Sequence, residues 1–406
     1  MMKSRTNHPI AVWSTAALTA LVISLTPVGS YAAYAQTVTE VKGTVSTPAP
    51  ASTAAAPGRN TTVPPLSEAS KQSTRPNVLV IGTGGTIAGQ STDATSFQSY
   101  RAGTLAIEDM VGELPNKDKV ADVTALQFGN SGSSAYTMED LYDLSLTVDK
   151  ALETYDSVVV TTGTDTMEEI AYFLDLTVQS DKPVVITGAM RPWTVIGSDA
   201  QANLYNAIKL AGSGRTASFG TVLMLNDTIH LARGVTKTND YRTDTFETPM
   251  LGAVGYIDEE NIRIYRAPLR ATKADGEGKP VFDLSKISKV DLAKVEIAVS
   301  YQQAGGGAIK GFVADGTKGI VTAGTGAGGI SREMSAARKE AIEKGVVFVT
   351  TTRTGSGSVY GGGEGIISGD NLSPQQARIL LLLSLSFTDD FNTIKGWFET
   401  YGTPEV

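Results

Sequence analysis

Four short apolar runs constrain this chain more than any other feature: Asn77–Ile81, Ser157–Thr161, Pro183–Thr187 and Thr221–Leu225. Runs of this length, rich in Val, Ile and Leu, are too short for buried helices and read as buried strands. The first enters a glycine turn, Gly82-Thr83-Gly84-Gly85; the second leads to Gly163 and the third to Gly188. Between strands, Met167, Ile170, Ala171, Leu174 and Val178 recur at helical spacing, and Asn203–Leu210 reads as a further helix. Strands alternating with helices imply βαβ units in a parallel sheet. A second alternating set follows the polar stretch Lys273–Lys279: strands at Val295–Ser300, Gly319–Ala323 and Val346–Thr351, helices at Ser331–Lys344 and Pro374–Phe387. The fold class expected is α/β. A larger N-terminal, doubly wound, mostly parallel domain spans 76–275, and a smaller C-terminal α/β domain spans 290–406.

Residues 1–35 read as a signal peptide. Lys3 and Arg5 precede an apolar stretch from Ile10 to Val28, and Ala33-Tyr34-Ala35 has the small-x-small form of a cleavage site. A retained anchor is the alternative; Ser14, Thr19, Ser24, Thr26 and Pro27 interrupt the stretch and weaken it. Residues 36–75 are rich in Thr, Ala, Pro and Ser and read as a flexible tether, with ordered structure starting near Arg75. The expected location is the periplasm or the exterior, with no membrane contact after cleavage.

Composition removes several chemistries. The chain has 406 residues and no cysteine, so disulfides, thiolate nucleophiles and cysteine metal sites are excluded. His8 and His230 are its two histidines, and His8 lies in the leader. A serine triad would have to use His230, and a multi-histidine zinc site cannot be built. A formal net charge of −8 and the lack of basic runs argue against nucleic-acid partners.

Ligands of open parallel sheets bind beyond the carboxyl ends of the strands. Polar clusters stand there at Thr83–Thr86, Thr161–Asp165 and Thr187–Arg191. The first lacks a dinucleotide fingerprint, because Ile87 occupies the third glycine position after Gly82 and Gly84. Its glycines suit a tight strand-to-helix turn. In the second, Asp165 and Glu168 have the spacing of a helix capping box, which leaves Thr164 without a task. Lys237, in Val235-Thr236-Lys237-Thr238-Asn239, reads either as a solvated charge or as a lysine beside a carboxylate, available to take a proton.

At these residues the chain resembles the bacterial type II L-asparaginases and the related glutaminase-asparaginases. Gly82-Thr83-Gly84-Gly85-Thr86-Ile87-Ala88-Gly89 is similar to their first signature and Thr161–Glu169 to their second. Thr187-Gly188-Ala189-Met190-Arg191-Pro192, Asn203–Ala207, Asn226-Asp227-Thr228 with Val235–Asn239, and Leu372–Arg378 resemble further family segments, so the likeness covers about 76–406. The resemblance implies that Thr86 is the nucleophile and that Thr164, Asp165 and Lys237 form the second catalytic group. It makes Tyr100 the tyrosine of a loop closing over the nucleophile. Ser133 is matched to the serine gripping the substrate α-carboxylate, with Ser134 beside it, and Asp165 to the group that receives the α-ammonium. Amides near Gly85 and at Thr164, after Gly163, are the candidate oxyanion donors. The resemblance further implies no metal, no organic cofactor, and a homotetramer whose sites are completed by a neighbouring subunit.

The residues are chemically suited to this. A threonine hydroxyl needs a proton acceptor before it attacks an amide, and the oxyanion needs donors. Tyr100 or a Thr164–Lys237–Asp165 relay can serve as base; direct attack by water polarised at Thr164 is an alternative course. Departures from the family pattern are Thr162 in place of histidine, Ser134 in place of Gln or Glu, and Ala327 in a loop expected to carry Asn or Ser. Glu364 is the candidate for the acidic residue donated by a neighbour. The rival readings are a glutamine-preferring glutaminase-asparaginase and a periplasmic amino-acid binding protein; the latter has no use for a nucleophile.

Overall fold

The computed structural model describes residues 58–269 and 280–403. The leader, the first part of the tether and the Lys273–Lys279 linker lie outside the described residues.

A short helix, α1 (Glu68–Gln72), is capped by Ser67 and precedes the first strand, β1 (Asn77–Gly84). Then follow α2 (Ile107–Glu113), β2 (Asp122–Ser131), α3 (Met138–Leu152), β3 (Ser157–Thr161), α4 (Met167–Thr177), β4 (Val184–Thr187), α5 (Ala200–Gly212), β5 (Thr221–Leu225), β6 (Thr228–Leu231), β7 (Thr236–Lys237), β8 (Phe246–Glu247), β9 (Gly255–Asp258) and β10 (Asn261–Ile264). Eight of these strands form one sheet in the order β10-β9-β6-β5-β4-β3-β1-β2. The pairs from β2 through β1, β3 and β4 to β5 are parallel; β6, β9 and β10 add antiparallel pairs at one edge. Central strands β1, β3, β4 and β5 are almost wholly buried, which is why they read as continuous apolar runs. Edge strand β2 is half-exposed and mixes Thr, Gln and Asn with its apolar residues, so no such run marks it.

The second part begins with β11 (Val295–Val299) and continues with α6 (Gly307–Ala314), β12 (Gly319–Gly324), α7 (Arg332–Ile342), β13 (Val347–Thr352), β14 (Ile366–Ser368), α8 (Pro374–Phe387) and α9 (Phe391–Trp397). Its four strands pair in the order β11-β12-β13-β14, all parallel. The expected architecture, a larger mostly parallel sheet and a smaller α/β part, is the one observed.

The two sheets share apolar packing. Leu79, Val158 and Phe173 belong to the same buried cluster as Val321, Val349 and Leu380. Helix α8 joins them by polar contacts as well. Gln376 Nε2 donates to the carbonyls of Ala232 and Val235, both at 3.1 Å, and its Oε1 accepts from Gly234 N at 3.2 Å. Gln376 is 1% exposed. The smaller part therefore holds the loop that delivers Lys237.

Residues 58–75 differ from the tether expected there. Asn60 N donates to Phe128 O, Tyr155 OH donates to Pro64 O, and Val63 and Leu66 pack on the core. Composition averaged over the whole Thr/Ala/Pro/Ser-rich stretch hides these two apolar residues and Arg59.

Candidate functional site

Three glycine turns at the carboxyl ends of adjacent parallel strands meet at one place. Gly84 and Gly85 take φ of 101° and 82°, a region that side chains rarely enter. A Cβ on Gly85 would overlap the backbone of Gly163, so the turns after β1 and β3 touch backbone to backbone. A Cβ on Gly188 would stand 2.5 Å from Thr162 O and 3.4 Å from Thr164 Cγ2, which puts the turn after β4 against the middle turn. Gly85 N donates to Ser131 O at the end of β2, and Gly103 N donates to Gly85 O.

Thr86 opens a single 3-10 turn, Thr86–Ala88, immediately beyond Gly85. Its Oγ1 is 2.6 Å from Tyr100 OH. Tyr100 is held by a two-bond bridge between Gln90 and Arg101 and lies against Gly89, where a Cβ would stand 2.8 Å from the ring. The chain either side of Tyr100 is largely exposed. Thr164 is 4% exposed, and its Oγ1 accepts from Lys237 Nζ at 3.0 Å. The same ammonium bonds Asp165 Oδ1 at 2.7 Å. The Asp165 side chain is 73% exposed and that of Lys237 16%, so the pair points toward solvent from a partly covered base.

The capping box read from Asp165 and Glu168 does not form: no side chain caps α4. Asp165 turns instead to Lys237 Nζ, and Glu168 Oε2 accepts from Lys237 N at 2.6 Å. The ammonium offers Asp165 a full opposite charge, where a cap would offer only the partial charge of a backbone amide. Burial raises the Glu168 pKa, partly offset by the bonds from the Lys237 amide and the Thr236 hydroxyl. Glu168 thus fixes the backbone of Lys237 while Asp165 and Thr164 fix its tip.

Ser133 is buried in a 3-10 turn after β2, and its Oγ accepts from Thr166 N at 3.1 Å. A Cβ on Gly163 would lie 3.1 Å from that Oγ, so the serine sits directly beside the middle turn. Ser134 is exposed next to it. Thr162 is fully buried, and its hydroxyl has no hydrogen-bond partner. The third polar cluster supports the others from behind. Asp199 accepts from the amides of Met190 and Arg191, and Asn203 donates to Gly188 O.

His230 stands apart from this group. It is 3% exposed, its Nδ1 is bonded to Thr248 Oγ1 at 2.9 Å, and burial lowers its pKa to about 4. Ala327 and Glu364 are exposed on loops of the second sheet. Among the described residues no group of three or more His, Cys, Asp or Glu could hold a metal ion, and no helix is long and apolar enough to cross a membrane.

Sequence reading missed Tyr136, which donates from its OH to Thr83 O in β1, and Arg59, whose guanidinium lies 4.2 Å from the centroid of the Tyr136 ring. It named Gln376 only inside the Leu372–Arg378 segment, with no role. Tyr136 stands three residues beyond Ser133; Arg59 and Gln376 have no sequence neighbour in the site.

Comparison with known proteins matches this geometry to a family. The family models "Asparaginase, N-terminal" and "Glutaminase/Asparaginase C-terminal domain" match residues 77–270 and 294–398. L-asparaginase 2 of Bacillus subtilis (strain 168) is 40% identical over 342 residues, covering 82% of this chain and 88% of that protein. L-asparaginase 2 of Escherichia coli (strain K12) is 37% identical over 332 residues, covering 80% and 93%. The crystal structure of a probable cytoplasmic L-asparaginase from Campylobacter jejuni superposes with a TM-score of 0.77 at 39% identity, covering 80% of this chain and 100% of that one. Matched by both family models in chain order and by relatives over about four fifths of its length, the chain belongs to the asparaginase family of amidohydrolases.

Proposed function

We propose that the protein hydrolyses the side-chain amide of L-asparagine, and also acts on L-glutamine, through Thr86. The observation that supports this best is the pairing of two hydroxyl systems, Thr86–Tyr100 and Thr164–Lys237–Asp165, carried by turns in backbone contact. Tyr100 is bonded to Thr86 Oγ1 and relays its proton: the phenol oxygen accepts it as Thr86 Oγ1 attacks the amide carbon and passes the phenol's own proton to the leaving nitrogen. The developing oxyanion is received by amides of the Gly85 and Thr164 turns. The C–N bond breaks, the nitrogen leaves with a proton as ammonia, and the acyl group stays on Thr86. Water then attacks the ester, assisted by Thr164 and Lys237, and restores the hydroxyl. Ser133 holds the α-carboxylate and Asp165 the α-ammonium, with Ser134 at the rim. The bond from Lys237 to Thr164 favours a second course in which water held at Thr164 attacks directly.

The leader, residues 1–35, supports export to the periplasm or the exterior. Exposed Met250, Tyr301 and Tyr360 offer apolar surface for a homotetramer whose neighbouring subunit completes each site. No cofactor enters this reading.

Ammonia release from L-asparagine and L-glutamine by wild type, Thr86→Ala and Thr164→Ala tests it. Each variant should keep its fold and lose activity by about a thousandfold or more. Near-native turnover by Thr86→Ala removes the nucleophile assignment. Activity lost only in Thr164→Ala selects direct water attack.

A further inference from the structure

We propose that Arg59, upstream of the residues matched to the family, is a positioning residue for substrate holding: it fixes the Ser133–Asp140 segment against β1. The proposal rests on the reading of Ser133 as the carboxylate-binding group.

The geometry is that of a strap with one anchor. Arg59 Nε and Nη2 fork onto the two oxygens of Asp140 at 2.7 and 2.9 Å. The same guanidinium covers the Tyr136 ring, and its side chain is only 5% exposed. A planar fork and a ring-stacking face belong to arginine and not to lysine. Gly129 makes room: a Cβ there would stand 3.1 Å from Arg59 Nη1 and collide with Tyr136 OH. Around the anchor, Asn60 N bonds Phe128 O, and Val63 and Leu66 enter the core.

Each partner of Arg59 borders the serine. Tyr136 follows the Ser133–Ala135 turn directly, and its OH ties that turn to Thr83 O, three residues before Thr86. Asp140 forms a capping box with Thr137 at the start of α3. Burial works against the Asp140 carboxylate, but the bonds from Arg59 and Thr137 hold its pKa below the ordinary range. Burial raises the Tyr136 pKa, so the phenol remains a neutral donor to Thr83 O. Without the guanidinium, the ring loses its cover and Asp140 loses its counter-ion. The Ser133 turn is then free to draw away from Gly163. Small displacements of groups that hold substrate have large kinetic effects.

The test is steady-state ammonia release by the full chain with Arg59→Ala, Arg59→Lys, Tyr136→Phe, the double variant Arg59→Ala/Tyr136→Phe, and Ser133→Ala. The expected result is a rise in KM for L-asparagine of about tenfold in Arg59→Ala with kcat within about twofold. Arg59→Lys, which keeps the charge and the fold, should fall between wild type and alanine. The double variant should be no worse in KM than its worse single parent, because both substitutions release the same turn. A lowered Tm with unchanged KM in Arg59→Ala and Arg59→Lys, while Ser133→Ala raises KM, overturns the Arg59 proposal alone. Unchanged KM in Ser133→Ala overturns the reading of the serine and this proposal with it.

Discussion

Replacing Gly85 by alanine tests whether the contact between the turns that carry Thr86 and Thr164 is needed for the proposed reaction. Gly85 has φ of 82° and ψ of −168°, a conformation open in practice to glycine alone. The added methyl would stand 2.8 Å from the carbonyl carbon of Thr162 and nearer still to Gly163 N and Cα. Those are backbone atoms of the turn that follows β3, so no side-chain rotation relieves the clash. Reaching an ordinary contact distance requires the turns to part by about an ångström. Backbone strain and overpacking together cost about 2–5 kcal/mol.

Activity should suffer more than stability. Thr86 is covalently next to Gly85, and Thr164 next to Gly163, so parting the turns separates the two hydroxyl systems directly. Misplacement of about an ångström lowers turnover by about a hundredfold. Gly132→Ala is the control: it adjoins Ser133, has φ of −63°, and a Cβ there would meet nothing within 4 Å. The assay is ammonia release over a range of L-asparagine concentrations, with thermal unfolding followed in parallel. Gly85→Ala should lose about 5–10 °C in apparent Tm and about two orders of magnitude in kcat/KM; Gly132→Ala should lose neither. Native kcat/KM in Gly85→Ala would show that catalysis does not need the turns in contact.

Lys237→Met keeps the buried stem and removes the ammonium that bonds Thr164 and Asp165. Turnover should fall by about a hundredfold or more, while Tm changes little because its ion-pair partner is largely exposed; unchanged kinetics would reduce Lys237 to a bystander. Gln376→Leu orphans the carbonyls of Ala232 and Val235 and the amide of Gly234; stability should fall by about 3 kcal/mol or more and turnover with it, and a loss confined to stability would break the link from α8 to Lys237. His230 has a folded pKa of about 4, below its unfolded value, so its contribution is present above about pH 6.5 and declines as pH falls toward 4. In denaturant titrations the stability advantage of wild type over His230→Gln should shrink by about 2 kcal/mol from pH 7 to pH 5; an equal difference at both values refutes this.

What the sequence revealed and what it hid divide along a physical line. Thr86, Thr164 and their glycines stand where a buried strand meets a turn, and both signals are local: an apolar run of period-free burial, then residues that permit unusual backbone angles. Lys237 was legible from its hydroxyl-flanked segment, although β7 itself is only two residues long. Arg59, Tyr136 and Gln376 act on chain 53 to 144 residues away in sequence, and each is ordinary in its own surroundings.

 The Tyr136 bond to Thr83 spans 53 residues, the Arg59 bonds to Asp140 span 81, and the Gln376 bond to Ala232 spans 144. Glu168 shows the limit most sharply. Its spacing from Asp165 suits a capping box, and the same spacing lets one carboxylate reach the Lys237 ammonium while the other reaches the Lys237 amide. Local geometry allows both outcomes. The choice falls to a lysine about 70 residues further on, whose full charge outweighs the partial charge of a backbone amide at the cap, and only the folded sheet brings that lysine within reach.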